Sequence, residues 1–292
     1  MLIDEALNRF LVQLQADGRS VHTLAQYRRH VGLLARWLRR EGHSGAIGKI
    51  GHEDLARFLV APEARQRPDG KAKKATSGNV LRSSLRAFFG YLHKAGYVRQ
   101  DPSRLIRRAR CGASPPRGLS AEERQKLLAA LAGANSDAGI RDRALFGLML
   151  AAGPRIGSVL ALEVGDVDLA AGELWLRRTK GDQPERVYLS AGICRQLSAC
   201  IGTRRQGPLF PAHHGGHLGA RGVRIRFAAW CRRAGIERRV SPHGLRHAFA
   251  MTLYERTGDL LLVKEALRHR SIASTVIYAR CAPDRLRQAI AG

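Results

Sequence analysis

Apolar residues recur at intervals of three and four through the first third of the chain, and this spacing constrains the fold more than any other feature. Leu7, Phe10, Leu11 and Leu14 lie on one stripe of a helix, and Asp17-Gly18 ends it. Ser20 is a suitable N-cap for the next stripe, and glycines separate the segments that follow. The pattern predicts a four-helix unit with helices over residues 4–16, 21–40, 53–60 and 79–94.

A basic segment at residues 62–78 interrupts this pattern and is predicted to be an exposed loop. Lysines in such a loop can contact phosphates, although a solvated loop with no partner is an equally good interpretation. An arginine-rich helix face lies upstream of the loop. The candidate DNA contacts in this unit are Arg28, Lys71, Lys73, Lys74 and Arg82.

The charge of the chain favours a polyanionic partner. Lys and Arg number 50 against 24 acidic residues, a net charge of +26. The excess is similar in both halves: residues 1–118 hold 23 bases and 9 acids, and residues 119–292 hold 27 and 15. Nucleic acid is the leading candidate partner, and a compositional bias towards Arg is the alternative.

Other classes of protein are disfavoured. The five cysteines are odd in number and form no C-x-x-C pair, which argues against a disulfide framework and fits a reducing cytoplasm. Asp4 and Glu5 stand where a signal peptide would be basic and then apolar. The longest apolar stretch, residues 144–152, is too short to span a bilayer, so no membrane association is expected.

A second domain is expected after a linker rich in Gly, Ser and Pro at residues 109–118. Ser120 followed by Glu123 matches a capping box, so a helix starts there. The expected division is a helical domain over 1–108, the linker over 109–118 and a second domain over 119–292. Within the second domain we predict helices over 120–132, 141–152, 221–234, 243–258, 260–267 and 283–291, and a hairpin of strands over 173–178 and 185–189.

These elements predict a mainly α fold with a small antiparallel β-sheet, in which an N-terminal four-helix domain precedes a C-terminal α+β domain. Two residues of the pentad His-Gly-Leu-Arg-His, His243 and Arg246, share one helix face and suit an anionic centre that undergoes proton transfer. Arg155 follows Gly153-Pro154, and Lys180 lies in the hairpin turn. Each of these residues alone is more often structural or merely solvated.

A metal site is not expected. His213, His214 and His217 lie in a glycine-rich loop that has no acid or cysteine nearby. Zinc in proteins is bound by a defined set of His, Cys, Asp and Glu side chains, and the sequence near this loop does not supply such a set.

The order of the candidate residues resembles the active-site pattern of the tyrosine recombinase (phage integrase) family, close to its Xer-type members. Gly-Pro-Arg-Ile, Thr-Lys-Gly-Asp and Ser-Pro-His-Gly-Leu-Arg-His resemble three of its sequence boxes. His269 precedes Tyr278 by nine positions, which resembles the spacing in the family's last box. Thr23-Leu24-x-x-Tyr27 resembles its core-binding domain, so the likeness covers nearly the whole chain. The catalytic residues that the resemblance implies are Arg155, Lys180, His243, Arg246, His269 and Tyr278.

The resemblance implies a site-specific recombinase that cleaves and rejoins DNA. Tyr278 would attack the scissile phosphate and form a 3′-phosphotyrosyl link, with His243 as the proton acceptor. The two arginines would hold the non-bridging oxygens. Lys180 would protonate the departing 5′-oxygen, and His269 would hydrogen-bond the phosphate. Neither a metal nor another cofactor is expected.

The implied partners are a double-stranded DNA recombination site and three further copies of the chain, a homotetramer on two duplexes, with an accessory recombinase or directionality protein as a further candidate. The implied setting is the nucleoid of a prokaryotic cytoplasm, or a phage. The alternatives are a weak or inactive DNA-binding relative and a type IB-like topoisomerase. Two positions depart from the family: Ser158 replaces an acid, and Arg268 replaces a glycine before the last histidine.

Overall fold

The chain forms two compact units, Met1–Ala113 and Ser114–Gly292. A computed structural model describes residues 1–112, 118–177, 184–269 and 271–279. Asn79 accepts a hydrogen bond from the backbone N–H of Ala109 at 2.7 Å and donates one to its carbonyl at 2.9 Å. The start of the expected linker is therefore held against the first unit, and residues 113–117 of that linker lie outside the described residues.

The first unit is helical, as the apolar stripes predict. Phe10, Leu34, Phe58 and Phe88 meet in its core, where each buried side chain of this size contributes roughly 1.5–3 kcal/mol. Ser20 caps the second helix by accepting from the backbone N–H of Thr23 at 3.3 Å. The helices are Ile3–Ala16 (α1), Val21–Arg40 (α2), His52–Val60 (α3), Pro62–Arg65 (α4) and Ala75–Lys94 (α5), with a 3-10 turn at Ile47–Lys49.

The segment predicted to be one basic loop at residues 62–78 is partly helical, so that prediction was wrong in extent. Pro62 opens the single turn of α4, a position where its missing N–H costs nothing. Helix α5 begins at Ala75, four residues earlier than the apolar pattern indicates. Its first turn is small and polar, and such residues resemble a loop when only the sequence is considered.

The second unit packs around one apolar helix. Asp137–Ala152 (α7) is capped by Ser136 and buries residues on all sides, which is expected of a helix in the centre of a core. Its neighbours include a helix over Ala191–Ile201 that the sequence analysis did not assign. The other helices are Ala121–Ala132 (α6), Ile156–Leu160 (α8), Ala191–Ile201 (α9), Ala220–Arg233 (α10), His243–Thr257 (α11), Leu260–Leu267 (α12) and Val276–Ala279 (α13).

A small antiparallel sheet lies beside these helices in the order β1-β2-β3, formed by Val167–Asp168, Glu173–Leu176 and Glu185–Tyr188. Leu174 pairs with Val187, and Leu176 pairs with Glu185. The two predicted strands are present but shorter than expected, and β1 is too short to be recognised in a sequence. Residues 178–183, which include Lys180, lie outside the described residues.

The last described helices are joined by tight turns. Gly258 ends α11 in a left-handed conformation, and Asp259 caps α12 by accepting from the N–H groups of Leu261 and Leu262. Residues 280–292, with the predicted helix over 283–291, lie outside the described residues. The predicted fold class is confirmed: a mainly helical chain with a small antiparallel sheet and two units.

Candidate active site

The candidate site is built on helix α11, which carries His243, Arg246 and His247. Helices α7, α12 and α13 pack against it and bring residues distant in sequence to the same place. Arg155 is the N-cap of the five-residue α8, His269 follows α12 and Tyr278 lies in α13. The structure therefore brings together the predicted residues that it describes, whereas Lys180 lies outside the described part of the chain.

A glycine turn sets the position of α11 against α7. Gly153 ends α7 in the left-handed conformation, with a φ of 61°. A Cβ at this position would overlap the ring of Phe249. The turn presents the carbonyl of Gly153 to Arg246, whose Nη1 donates to it at 2.5 Å. Only glycine fits both the backbone conformation and the close approach of the ring.

Arg246 is buried, with 3% of its surface exposed, and it is held by backbone oxygens. Its second terminal nitrogen donates to the carbonyl of Leu267, and Arg155 Nη2 donates to the carbonyl of Arg268 at 3.3 Å. Among the described residues, no carboxylate lies within ion-pair distance of either guanidinium. Burial, and then the charge of Arg155, lowers the pKa of Arg246 to about 10, so Arg246 remains a cation at neutral pH.

The phenol of Tyr278 is hydrogen-bonded to the imidazole of His247. Its hydroxyl lies 2.9 Å from His247 Nδ1, and only 1% of the residue is exposed. Burial, followed by the neighbouring His243 and Arg246, lowers the pKa of His247 to about 4. His247 is thus neutral at pH 7, and its Nε2–H tautomer allows Nδ1 to accept the phenolic hydrogen.

Two further imidazoles line the site. His243 meets the ring of His247 edge to face, with centroids 4.6 Å apart, and burial lowers its pKa. His269 Nδ1 lies 2.9 Å from the hydroxyl of the fully buried Thr275. Burial, and then Arg246, lowers the pKa of His269 to about 4. At neutral pH both rings are neutral and do not add charge beside the arginines.

The sequence alone indicates no functional role for His247 or Thr275. The signal for His247 was present, because it follows His243 by four positions and so shares its helix face. Nothing in the sequence singles out Thr275, which joins the site through its hydrogen bond with His269. The acid expected three residues after Arg155 is Ser158, and the carbonyl of Arg268 is what binds Arg155 in this chain.

The predicted DNA contacts of the first unit have different environments. Arg28, Lys71 and Lys74 are exposed and Arg82 is partly buried. Lys73 instead donates its ammonium to the carbonyls of Glu63 and Ala64 at 2.7 and 3.2 Å, so it holds the end of α4. A groove of about 960 Å³ lies beside it, and its mixed lining includes the basic residues Arg29, Arg36, Lys73 and Lys74.

In the histidine-rich loop, His217 contacts residues that precede the loop in the sequence. His217 donates from Nδ1 to the carbonyl of Leu160 at 2.9 Å, and its Nε2 lies 3.0 Å from a carboxylate oxygen of Glu163. Within the described ranges no group of three or more His, Cys, Asp or Glu side chains could hold a metal ion. None of the described helices combines the length and apolar character needed to cross a bilayer.

Comparison with known proteins identifies the family. The phage integrase family model matches residues 117–285, and the phage integrase N-terminal SAM-like domain matches residues 7–96. The chain belongs to the phage integrase family. The expected resemblance, and with it the expected class of DNA breaking and rejoining enzyme, is confirmed.

Curated relatives share about a third of the sequence. Tyrosine recombinase XerC of Xylella fastidiosa (strain 9a5c) is 34% identical over 266 residues, which cover 89% of this chain and 86% of the relative. Tyrosine recombinase XerD of Ralstonia nicotianae is 31% identical over 292 residues, covering 97% and 92%. Both alignments run through the two units of the chain.

Solved structures share the fold at lower identity. A post-cleavage complex of the XerH site-specific recombinase with palindromic difH substrate has a TM-score of 0.77 at 23% identity, covering 94% of this chain and 81% of that one. A lambda integrase tetramer bound to a Holliday junction has a TM-score of 0.71 at 20% identity, covering 93% and 78%.

Proposed function

We propose that the protein recombines DNA site-specifically through a covalent 3′-phosphotyrosyl intermediate formed by Tyr278. The observation that carries the proposal is the contact between the Tyr278 hydroxyl and a neutral imidazole, in the same site as two guanidiniums that have no carboxylate partner among the described residues. A phenol has a pKa of about 10, so it needs a base beside it to become a nucleophile at neutral pH.

The reaction replaces one phosphoester by another. The Tyr278 oxygen bonds to the scissile phosphorus, the bond to the 5′-oxygen breaks, and the phenolic proton passes to an imidazole. The family resemblance assigns that proton to His243, and the 2.9 Å contact makes His247 a second candidate for the same role. Lys180 returns a proton to the departing 5′-oxygen, so charge and protons balance.

Arg155 and Arg246 bind the non-bridging oxygens of the phosphate. In the pentacoordinate transition state these oxygens gain negative charge, and cations already fixed in position stabilise it without reorganising. The backbone carbonyls that hold the guanidiniums fix their direction without neutralising them. His269, held by Thr275, hydrogen-bonds the same phosphate.

Residues 1–108, which lie within the first unit, act as the domain that clamps DNA, and residues 119–292 form the catalytic domain. The match to a phage integrase N-terminal domain and the basic residues that line part of the groove beside Lys73 support this division. A homotetramer on two duplexes is the proposed working assembly, supported by the fold shared with a lambda integrase tetramer bound to a Holliday junction. An accessory recombinase remains a candidate partner, and relatives from bacteria support a cytoplasmic setting.

A nicked suicide substrate tests the covalent step, because cleavage releases a short fragment and traps the enzyme on the DNA. We expect a protein–DNA adduct with the wild type and none with Tyr278→Phe. Tyr97→Phe, which removes a hydroxyl from the first unit, is the matched control and keeps the adduct. An adduct from Tyr278→Phe, or no adduct from the wild type on its recombination site, refutes the proposal. Relaxation of a plasmid that lacks the site would instead favour a topoisomerase.

A further inference from the structure

Arg268 has a backbone conformation that side chains rarely adopt. It follows α12 with φ 52° and ψ 51°, and in the described ranges it is the one residue other than glycine with a positive φ. The Cβ of an L-residue crowds the backbone in this region, so such residues persist where their surroundings compensate the strain. The contacts of its side chain show what provides that compensation.

The guanidinium of Arg268 reaches the first residues of strand β3. Its Nε lies 2.8 Å from a carboxylate oxygen of Glu185, and its Nη2 donates to the carbonyl of Arg186 at 2.6 Å. Both side chains of the ion pair are about three-quarters buried, with 22% and 23% exposed, so water screens them less than a surface pair. Arg268 therefore ties β3 to the carboxyl end of α12.

The backbone of the same segment holds both arginines of the site. The carbonyl of Arg268 accepts from Arg155, and the carbonyl of Leu267 accepts from Arg246. The left-handed conformation lets Arg268 present its carbonyl to Arg155 while its side chain extends to the sheet. A displacement of this segment would move both guanidiniums together.

We propose that Arg268 is a positioning residue that locks strand β3 and the carbonyls bound to Arg155 and Arg246 into one geometry through its contacts with Glu185 and Arg186. This inference rests on the proposed function, since it concerns the alignment of the same phosphate site. Arg268 acts through its neighbours and need not touch the DNA.

A third cation beside the phosphate is the competing explanation, and the two explanations predict opposite results for one substitution. Glu185→Gln breaks the ion pair and leaves the site more positive. If Arg268 acts by its charge, Glu185→Gln leaves cleavage unchanged or faster. If Arg268 acts by holding β3, Glu185→Gln slows cleavage as Arg268→Gly does.

Single-turnover cleavage of the nicked suicide duplex provides the measurement. Arg268→Gly keeps the left-handed turn without strain and removes only the side chain. We expect Arg268→Gly and Glu185→Gln each to slow cleavage about 10- to 100-fold, the size of effect expected when reacting groups are misplaced. The DNA dissociation constant stays the same, and the double variant is no slower than the slower single variant, because both remove one contact.

Two further variants separate positioning from a loss of folding. Glu173→Gln breaks the neighbouring ion pair of Glu173 with Arg186, 3.2 Å long, and is expected to leave cleavage unchanged. Arg268→Lys keeps a cation for Glu185 but cannot also donate in the same fork to the Arg186 carbonyl, so it restores part of the rate. Melting temperatures of all variants are measured alongside.

The outcomes also distinguish this inference from the proposed function. A wild type that forms no adduct refutes both. An adduct with the wild type, together with undiminished cleavage by Glu185→Gln, overturns the positioning role and leaves the function standing. Losses that multiply in the double variant overturn it as well, because they show that Arg268 and Glu185 act independently.

Discussion

Two groups of buried charge lie in the second unit, and they are satisfied in opposite ways. The carboxylate of Asp142 is fully buried and accepts from Arg226 at 2.8 Å, from the indole of Trp230 at 2.7 Å and from Arg141 at 3.3 Å. Arg246 is buried to a similar degree, yet backbone carbonyls and not carboxylates bind it within the described residues. The charge of Asp142 is balanced by arginines within the protein. Arg246 has no carboxylate partner among the described residues and keeps its positive charge.

This difference separates a charge that serves stability from a charge that serves binding. A carboxylate that accepts from three donors has no remaining capacity for an external ion, and removing one of its arginines leaves a buried charge less compensated in an apolar core. A guanidinium held by carbonyls has its direction fixed and its charge available. The lowered pKa of Arg246 expresses the cost of that arrangement, since burial and the nearby Arg155 both oppose the cation.

Replacing an arginine by methionine should therefore reduce cleavage in one group and stability in the other. The largest effect is expected for Arg246→Met. Cleavage should fall by about 10³-fold or more, because a fixed cation opposite the developing charge is lost. Binding to the intact DNA site should change little, since many phosphate contacts share that affinity. Single-turnover cleavage and a binding titration give the two numbers. A variant that cleaves within tenfold of the wild type would show that Arg246 is only structural.

Arg226→Met is the next largest test and belongs to the group around Asp142. It leaves the Asp142 carboxylate with Arg141 and Trp230 alone, so the free energy of unfolding should fall by about 2–4 kcal/mol. Urea unfolding measures this loss. Cleavage per folded molecule should match the wild type at a temperature where both are folded. A large loss of cleavage without a loss of stability would remove the distinction between the groups.

How far the sequence predicts this molecule depends on which atoms make the contact. Apolar spacing predicted α1 and α2 closely, because a buried stripe needs one side chain every three or four positions. It placed the start of α5 late, because Ala75 to Gly78 add no apolar side chain to the stripe. The order of side chains in known sequence boxes likewise singled out residues that the structure brings together, and their catalytic roles remain a prediction.

Backbone geometry is the part that could not be predicted. The carbonyls of Gly153, Leu267 and Arg268 hold the two arginines, and a carbonyl direction is set by the fold and not by the residue type. The contact between His247 and Tyr278 joins residues 31 positions apart, so it depends on how α13 packs on α11. A left-handed arginine at position 268 contradicts local preference, and its reason appears only when β3 lies beside it.

The smallest expected effect is a dependence of stability on pH that arises from the histidines beside Arg246. The pKa values of His247 and His269 in the folded protein are about 4, below the value of about 6.5 in an unfolded chain. Between these values the unfolded chain binds more protons, so the free energy of unfolding falls as the pH drops from about 6.5 to 4. Allowing for solvent screening, each imidazole contributes about 1–2 kcal/mol. Urea unfolding across this range should show a flatter profile for the variant His247→Gln/His269→Gln.

His30 in the first unit makes the matched control, because its pKa is also lowered to about 4 and its Nδ1 is 2.8 Å from Ser84. Burial is the largest cause for His30 and His247 alike, whereas the neighbouring cations differ. At about 1 M salt the Debye length is about 3 Å, which weakens the effect of charges but not that of burial. The pH dependence should therefore persist in salt for both units. If salt removes it for His247 and leaves it for His30, the unneutralised charge of the arginine site, more than burial, sets the pKa of that imidazole.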